Sequence, residues 1–343
     1  MSELISKVTI ADIARVLNIT PATVSRALNN HPGIKSETKK RVRETAVRLN
    51  YQPNKIASSL RLGRSNILGV IIPSAEISFF GSVVHGIEKV ANENNYNVVI
   101  YQTNEQSDYE KKGVQTFMQS RVDAVLASIS KETTNLDHFA EIKKRGVPLI
   151  LFDRASDELG VSSVVVNDYA GAFEATRHLI QQGCRHIAHI GGQQHVTIFN
   201  QRLKGYVDAL RAHQIPVNND LVLHGKVSIE SGRACMNALL EKKQRPDGVF
   251  AVEDFTALGA MQALKAATVK MPEEVALIGF ANEAFGEFIT PSLSTVNQQT
   301  VKMGEEAAKL YFDSLRKGGN HLHPRKMVLE PELIIRESSR RLP

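Results

Sequence analysis

Short polar side chains and one arginine lie close together between residues 20 and 29 of this 343-residue chain. At helical spacing the stretch divides into a small or polar face and an apolar face: Ala22, Thr23, Ser25 and Arg26 against Val24, Ala27 and Leu28. Hydroxyl and guanidinium groups on a helix face can donate hydrogen bonds to phosphate oxygens and to base edges in the major groove. An ordinary helical hairpin with a solvated face is the alternative interpretation.

Two short helices joined by a tight turn are predicted to position this face. Thr9 and Asp12 have the spacing of a capping box, and apolar residues recur at helical spacing over the next two turns. Asn18 is predicted to end the first helix, because Asn tolerates the left-handed backbone that helix ends often use. Thr20 then supplies an N-cap hydroxyl, and Pro21 suits the first position of the second helix.

A third helix and a local excess of positive charge follow. Ser36 is expected to cap this helix, whose apolar side holds Val42, Ala46 and Leu49. Residues 1–64 contain twelve Lys and Arg against four Asp and Glu, a net charge of +8, whereas the whole chain carries +6. Localised positive charge is typical of a phosphate-binding surface, although a basic face that serves solubility is the alternative.

From about residue 66 the pattern changes to short apolar runs that alternate with helical segments. Strands are predicted at residues 67–72, 98–101, 124–127, 149–152, 164–166, 187–190, 249–252 and 275–280. This alternation indicates parallel βαβ units, and the length suits two α/β lobes. Ligands of such folds bind beyond the carboxyl ends of the strands. Polar pairs stand at several predicted ends: Asp153 and Arg154, Asn167 and Asp168, Glu253 and Asp254, and Asn282 and Glu283.

Several function classes find no support in the sequence. No N-terminal apolar run follows a basic flank and no apolar stretch could span a bilayer, so a cytoplasmic protein is expected. Cys184 and Cys235 form no CxxC motif, which suits a reducing compartment. No GxGxxG turn, GxSxG elbow or P-loop is present, and His186 and His189 alternate on a predicted strand, which favours packing. We therefore predict no enzyme activity, no cofactor and no metal site.

Motifs along the chain carry a resemblance to a known family. Near the N-terminus they are Thr9-Ile10 with Asp12-Ile13-Ala14, Thr23-Val24-Ser25-Arg26 with Leu28-Asn29, and Tyr51-Gln52-Pro53-Asn54 with Ala57 and Leu60. Later motifs include Gly69-Val70-Ile71-Ile72-Pro73, Phe152-Asp153-Arg154, Ile190-Gly191-Gly192, Arg202 with Gly205-Tyr206, Asp254 with Ala257 and Gly259, and Gly279-Phe280. On these residues the chain, from about residue 8 to about residue 340, resembles the LacI/GalR family of bacterial transcription regulators.

The resemblance implies a fold class and a division into domains. It implies an α/β protein with a three-helix helix-turn-helix head at residues 1–52, a hinge helix and linker at 53–65, and a two-lobed core at 66–343. The core would be Rossmann-like and similar to periplasmic binding proteins. Lobe 1 is expected at about 66–166 plus 297–326, and lobe 2 at about 167–296 plus 327–343.

The resemblance also implies roles for residues at the DNA. Pro21, Ala22 and Arg26 match base-facing positions, and phosphate contacts are expected from Thr20, Thr23, Ser25 and Asn29. Leu60 matches a hinge leucine that wedges into the minor groove, with Arg61 beside it, although Leu60 could instead pack within the connector. Two hinge helices must hold each other in the groove, so a homodimer and a pseudo-palindromic operator on double-stranded DNA are expected.

For the small-molecule effector, the resemblance points to one set of core residues. Arg202 and Asp254 match sugar-contacting positions, and further candidates are Phe79, Phe80, Asp153, Arg154 and Gln298, with Asn167 weaker. Arg154 could instead form an ion pair, and one phenylalanine is expected in the core.

The chain departs from the family pattern at three places near the expected effector site. Ile77-Ser78 stands in place of Asn-Pro, Glu253 in place of Asn, and Ala281 in place of Asp, which suggests a ligand unlike the common hexoses. The function expected is a repressor controlled by a sugar or sugar derivative, and it involves no membrane. The alternatives are a nucleobase or nucleoside effector on the same scaffold, or a solute-binding protein or enzyme without a DNA role.

Overall fold

The computed structural model describes residues 8–52, 64–316 and 324–341. The chain divides into two compact units, Met1–Ser65 and Asn66–Pro343, called here the head and the core. Within the described ranges, no helix combines the length and the apolar character needed to cross a membrane.

Three helices form the described part of the head: α1 (Ile10–Leu17), α2 (Pro21–Leu28) and α3 (Ser36–Arg48). α1 begins at the predicted capping box, in which a carboxylate oxygen of Asp12 accepts a hydrogen bond from the backbone N–H of Thr9 at 2.9 Å. It ends at Asn18, whose φ of 53° confirms the predicted left-handed residue. Thr20 caps α2 as predicted, because its hydroxyl oxygen accepts the backbone N–H of Thr23 at 3.2 Å.

The start of α3 differs from the prediction. Ser36 is the first residue of the helix, Lys35 occupies the N-cap position, and no side chain caps the backbone there. A serine offers an N-cap hydroxyl only from the position before the first helical residue, so the prediction was wrong by one residue. The three helices still share one small apolar cluster, which contains Ile13, Ala14, Val24, Ala27, Val42 and Ala46.

A six-stranded parallel sheet forms lobe 1 of the core. Its strands are β1 (Ile67–Ile72), β2 (Asn97–Gln102), β3 (Ala124–Ala127), β4 (Leu149–Phe152), β5 (Ser162–Val166) and β11 (Lys326–Leu329), in the order β11-β5-β4-β3-β1-β2. The helices against it are α4 (Ser78–Glu93), α5 (Ser107–Ser120), α6 (Asp137–Lys144) and α11 (Thr300–Arg316). The inner strands are buried on both faces, which is why they read as continuous apolar runs in the sequence.

A four-stranded parallel sheet forms lobe 2. Its strands are β6 (Ile187–Gly191), β7 (Val222–His224), β8 (Gly248–Ala251) and β9 (Ala276–Ile278), in the order β7-β6-β8-β9. The helices against it are α7 (Asp168–Gln181), α8 (Thr197–Ala212), α9 (Ile229–Leu240) and α10 (Asp254–Ala266). All eight strands predicted from the sequence are present. β7 was not predicted, because three half-buried or exposed residues leave no clear apolar run.

The chain passes between the lobes at three places. The first crossing follows β5, the second precedes α11 and the third follows β11. Beside the second and third crossings, β10 (Thr295–Asn297) pairs antiparallel with β12 (Glu332–Ile334). Hydrogen bonds tie the crossings together: the backbone N–H of Asn167 donates to Leu329 O at 2.9 Å, and the Gln299 side chain donates to Glu330 O. Because β11 pairs with β5, residues 327–329 belong to lobe 1 and not to lobe 2 as expected.

Glycine allows the helices of lobe 1 to approach closely. A Cβ atom at Gly86 on α4 would lie 2.1 Å from the backbone oxygen of Val301 on α11. A Cβ atom at Gly304 on α11 would lie 2.0 Å from the backbone oxygen of Val83 on α4. Only glycine avoids both clashes, so the two helices pack backbone to backbone.

Candidate functional site

The predicted DNA-contact residues lie on the accessible face of α2. Pro21, Ala22 and Arg26 are exposed, whereas Val24 and Ala27 are completely buried against the rest of the head. α2 therefore has the exposed small or polar face and the buried apolar face that the residue pattern predicted. A short helix presented in this way has the shape that enters a major groove.

The polar residues at the ends of α2 are fixed by local hydrogen bonds. The hydroxyls of Thr20 and Thr23 lie 2.9 Å apart, and the side-chain amide of Asn29 donates to the backbone oxygen of Ser25 at 2.8 Å. These bonds hold the side chains of Thr20 and Thr23 at the start of the helix and that of Asn29 at its end. Other basic residues of the head are also exposed, on α1, at the N-cap of α3 and on α3: Arg15, Lys35, Lys40, Arg41, Arg43 and Arg48. Leu60 and Arg61, the predicted hinge contacts, lie outside the described residues.

A second candidate site is a cavity of about 390 Å³ between the lobes of the core, called here the cleft. It lies beyond the carboxyl ends of strands from both sheets, where ligands of α/β folds bind. Six of the seven predicted ligand residues line it: Phe79, Phe80, Asp153, Arg154, Arg202 and Gln298. Asp254 does not line it.

Arg202 is the most enclosed cation of the cleft. α8 holds it with only 2% of its surface exposed. Its Nε donates to Asp168 at 2.8 Å, one Nη donates to the backbone oxygen of Val252 at 2.7 Å, and the other donates to the side-chain oxygen of Gln298 at 3.2 Å. The guanidinium also lies 3.6 Å from the ring centroid of Phe280. This network fixes the plane of the guanidinium before any ligand arrives.

Asp168 is the counter-ion of Arg202. One carboxylate oxygen lies 2.7 Å from Nη2 of Arg202, and burial raises the pKa of Asp168 to about 6 although Arg202 acts in the opposite direction. A buried pair of this kind is costly to break, because removal of one partner leaves an uncompensated charge. Arg202 therefore has a structural role as well as the predicted ligand role.

Arg154 and Lys131 share a counter-ion, Glu105. The guanidinium of Arg154 donates to both oxygens of Glu105, at 3.0 and 2.7 Å, and Nζ of Lys131 lies 3.4 Å from one of them. Burial opposes ionisation of Glu105, but these two cations outweigh it and hold its pKa below the usual value. The ion pair proposed as the alternative for Arg154 is thus present, and Arg154 lines the cleft as well.

Asp153 and the two phenylalanines form the lobe 1 wall of the cleft. Burial raises the pKa of Asp153, and the hydroxyl of Ser128 lies 3.3 Å from its carboxylate. The rings of Phe79 and Phe80 meet edge to face with centroids 5.0 Å apart, and their exposed fractions are 8% and 2%. Both rings belong to the apolar core of lobe 1 and present only small parts to the cleft.

Asp254 takes a position different from the predicted one. It is completely buried at the start of α10, where one oxygen accepts the Thr295 hydroxyl at 2.7 Å and the other accepts the Glu283 backbone N–H at 2.7 Å. Burial raises its pKa to about 6. Asp254 therefore fixes the loop that carries Glu283, and it makes no contact with the cleft itself. Asn167 likewise serves as the N-cap of α7, where it accepts the Ala170 N–H at 3.1 Å.

Two further carboxyl groups lie close together at the cleft. Glu283 accepts hydrogen bonds from the Ser78 hydroxyl and, at 3.4 Å, from the Phe79 backbone N–H, so a residue of lobe 2 caps the first turn of α4 in lobe 1. Glu253 caps α10 by accepting the Phe255 N–H at 3.1 Å. Burial, together with the adjacent Asp254 and Glu283, raises the pKa of Glu253 to about 8.

Comparisons with known proteins identify the family of the head and of the core. Residues 9–54 match the family model of bacterial regulatory proteins of the lacI family, and residues 176–339 match a periplasmic binding protein-like domain. The probable HTH-type transcriptional repressor ExuR of Bacillus subtilis is 32% identical over 339 residues, which cover 98% of this chain and 99% of the relative. The chain belongs to the LacI family.

Solved structures of LacI-family proteins share the fold. The transcriptional regulator CelR in complex with cellobiose is 28% identical and superimposes with a TM-score of 0.73, over 97% of this chain and 100% of that one. The lac repressor dimer bound to operator and the anti-inducer ONPF is 22% identical with a TM-score of 0.86, over 97% and 99% of the two chains. This LacI-family chain is a DNA-binding transcriptional repressor, and its relatives are repressors and not enzymes.

The LacI-family core brings residues to the cleft that the sequence reasoning missed. They are Glu76, Lys131, Ile198, Phe199, Val227, Ser228, Ile229, Glu230 and Phe255, whereas Ile77, which the family pattern had placed near the effector site, also lines the cleft. Lys131 follows β3, so the polar stretch after that predicted strand was an available signal. Residues 227–230 follow β7, which was not predicted, although Ser228 does cap α9 by accepting the Ser231 N–H at 3.2 Å.

Proposed function

We propose that this repressor binds a pseudo-palindromic operator as a homodimer, and that a neutral sugar bound in the cleft controls its affinity for DNA. In this proposal Arg26, Pro21 and Ala22 contact base edges, and Thr20, Thr23, Ser25 and Asn29 contact phosphates. Leu60 and Arg61 act at the hinge. The place of action would be the cytoplasm, where operator DNA lies.

Exposed apolar side chains on the core support the homodimer. Val99 and Ile100 on the edge strand β2 are 45% and 48% exposed, and Phe288 of lobe 2 is 84% exposed. Large apolar side chains on an edge strand favour pairing with another chain. A second copy would cover them, and two-fold symmetry would then impose a two-fold operator.

The charges of the cleft support a neutral ligand. The cations Arg202, Arg154 and Lys131 are already paired with Asp168 and Glu105, and Glu253 and Glu283 add carboxyl groups. A phosphate or carboxylate on the ligand would meet no unpaired cation among the described lining residues. Hydroxyl groups, in contrast, can both donate to carboxylates and accept from guanidinium N–H groups.

The observation that carries the sugar proposal is the pre-set guanidinium of Arg202 in a cavity of about 390 Å³. This volume lies within the range of about 300 to 1,000 Å³ typical of small-molecule sites. The CelR relative holds cellobiose, which shows that the same fold accommodates a neutral sugar.

Calorimetric titration with neutral sugars, sugar acids, sugar phosphates and nucleosides tests the proposal. Arg202→Lys keeps a cation beside Asp168 but loses the planar fork, so we expect at least tenfold weaker binding of the sugar that binds the natural chain. Arg211→Lys, exposed on the same helix, is the matched control and should bind normally. Binding of nucleosides alone, or equal binding by Arg202→Lys, would overturn the sugar proposal.

Operator selection from a random DNA library tests the proposed homodimer, its two-fold operator and the control of DNA affinity by the sugar. We expect recovered sites with two-fold symmetry, whose binding weakens or strengthens when the sugar is added. Asymmetric single half-sites would contradict the homodimer. A sugar that binds without changing DNA affinity would contradict its control of the repressor.

A further inference from the structure

A second cavity of about 300 Å³ opens beside the cleft and shares Lys131, Arg154 and Ile198 with it. We call it the side cavity. Its walls are the loops after β3 and β4 in lobe 1 and the loop before α8 in lobe 2. Each of the two volumes reaches the size of about 300 Å³ at which ligand sites in proteins begin. Together the two adjacent volumes are large enough for a ligand of two units.

The loop after β3, which forms one wall of the side cavity, is held rigidly from behind. The buried carboxylate of Glu110 accepts the Ser130 backbone N–H at 2.7 Å, the Thr133 hydroxyl at 2.7 Å and the His138 ring N–H at 2.9 Å. Glu105 accepts the Lys131 backbone N–H at 2.8 Å. A loop with this many buried hydrogen bonds keeps its shape, so the wall is formed before a ligand binds.

The lobe 2 wall is joined to this loop across the cleft. Nε2 of His195 lies 2.7 Å from the backbone oxygen of Lys131, at hydrogen-bond distance. The contact lies at the side cavity, because both residues line it. Both lobes thus contribute to the side cavity, as they do to the cleft.

The groups that face the side cavity suit hydroxyl-bearing ligands. Thr134, Ser156 and Thr197 bring hydroxyls to its lining. The Ser156 oxygen accepts the Glu158 N–H at 3.3 Å, which leaves the hydroxyl hydrogen to donate. Arg154 lines both cavities, and its Nε is buried, lies 3.8 Å from a carboxylate oxygen of Asp153 and has no hydrogen-bond partner among the described residues. A buried donor without a partner costs free energy, and a ligand oxygen would satisfy it.

We propose that the effector is an extended neutral glycoside, a disaccharide or longer, with one sugar in the cleft and the next in the side cavity. This inference rests on the proposed sugar-controlled function and specifies its ligand. The glycosidic linkage would pass Arg154, whose Nε donates to an oxygen of the ligand. A monosaccharide would occupy the cleft alone and would leave that donor unsatisfied.

Calorimetric titration with neutral disaccharides and with their component monosaccharides tests the inference. We expect a disaccharide to bind at least tenfold more tightly than either component. Thr134→Trp, at an exposed position of the wall, fills the side cavity and should weaken disaccharide binding at least tenfold while monosaccharide binding stays unchanged. Glu132→Trp places the same side chain in the same loop at an exposed residue that does not line the cavity, and it should bind both normally.

The outcomes separate the inference from the proposed function. A monosaccharide that binds as tightly as any disaccharide, is unaffected by Thr134→Trp and is weakened by Arg202→Lys would overturn the extended ligand and retain the sugar effector. Disaccharide binding that Thr134→Trp leaves unchanged would also overturn the side cavity. If no sugar binds, both the extended ligand and the sugar effector are overturned.

Discussion

Replacement of Glu253 by glutamine should change how the stability of the core depends on pH. The pKa of Glu253 is raised to about 8 by burial and by the neighbouring acids, whereas an unfolded glutamate titrates near 4.5. The folded state therefore holds a proton that the unfolded state has lost between these values. Stability from this group is fully present below pH 4.5 and is lost as the pH rises towards 8.

The window from pH 6.5 to pH 8 covers the titration of Glu253, and comparison with Glu253→Gln separates its contribution from those of other groups with shifted pKa values. At pH 6.5 and above, Asp168 and Asp254, with pKa values of about 6, have largely lost their protons. The buried His189 has a pKa lowered to about 3, so its contribution changes only below the unfolded value of 6.5. Across the window the free energy of unfolding should fall by about 1.5 kcal/mol through Glu253, at 1.36 kcal/mol per unit of pKa difference.

Thermal unfolding at several pH values measures this change. A loss of about 1.5 kcal/mol corresponds to roughly 3 to 6 °C in the midpoint for a domain of this size. Glu253→Gln keeps an oxygen for the Phe255 N–H and removes the titration, so its midpoint should vary less with pH and exceed that of the natural chain at pH 8. Glu241→Gln, on the surface of the same lobe, is the matched control. A Glu253→Gln variant with the natural pH dependence would refute the reasoning.

Three further predictions concern other parts of the molecule. Arg26→Ala should weaken operator binding by about 1 to 3 kcal/mol, measured by fluorescence anisotropy, while ligand binding stays unchanged; equal operator affinity would contradict a base contact. Glu283→Ala removes the carboxylate from the first turn of α4, so small-angle scattering should show a more open core with about tenfold weaker ligand binding. Ile100→Asp should shift the chain towards monomer in light scattering, and an unchanged mass would exclude β2 from the interface.

The parts of the fold that the sequence predicted are those with local signals. The capping box at Thr9 and the Thr20 cap depend on residues three positions apart, and buried strands such as β3 read as apolar runs. β11 could not be found in this way, because its residues are mostly exposed at an edge and its pairing with β5 spans more than 150 residues. Pairing across such separations depends on the tertiary fold.

The cleft shows the same division between local and distant causes. Family motifs predicted that Arg202 and Arg154 lie at the effector site, and both residues line the cleft. Asp254 was expected to contact the ligand, yet Thr295 and Glu283 occupy both of its oxygens from elsewhere in the chain. The cap that Glu283 provides to α4 joins residues about 200 positions apart, and no short motif predicts it.

The close contact at Gly86 and Gly304 has a mechanical consequence. Two helices that meet backbone to backbone cannot slide past each other without collision, so α4 and α11 must be displaced as one stiff body. Glu283 accepts a hydrogen bond at the start of α4, and the crossing before α11 leads into the start of α11. A small rotation imposed at the cleft would therefore move both helices together along their full length. The backbone would bend at the three hydrogen-bonded crossings.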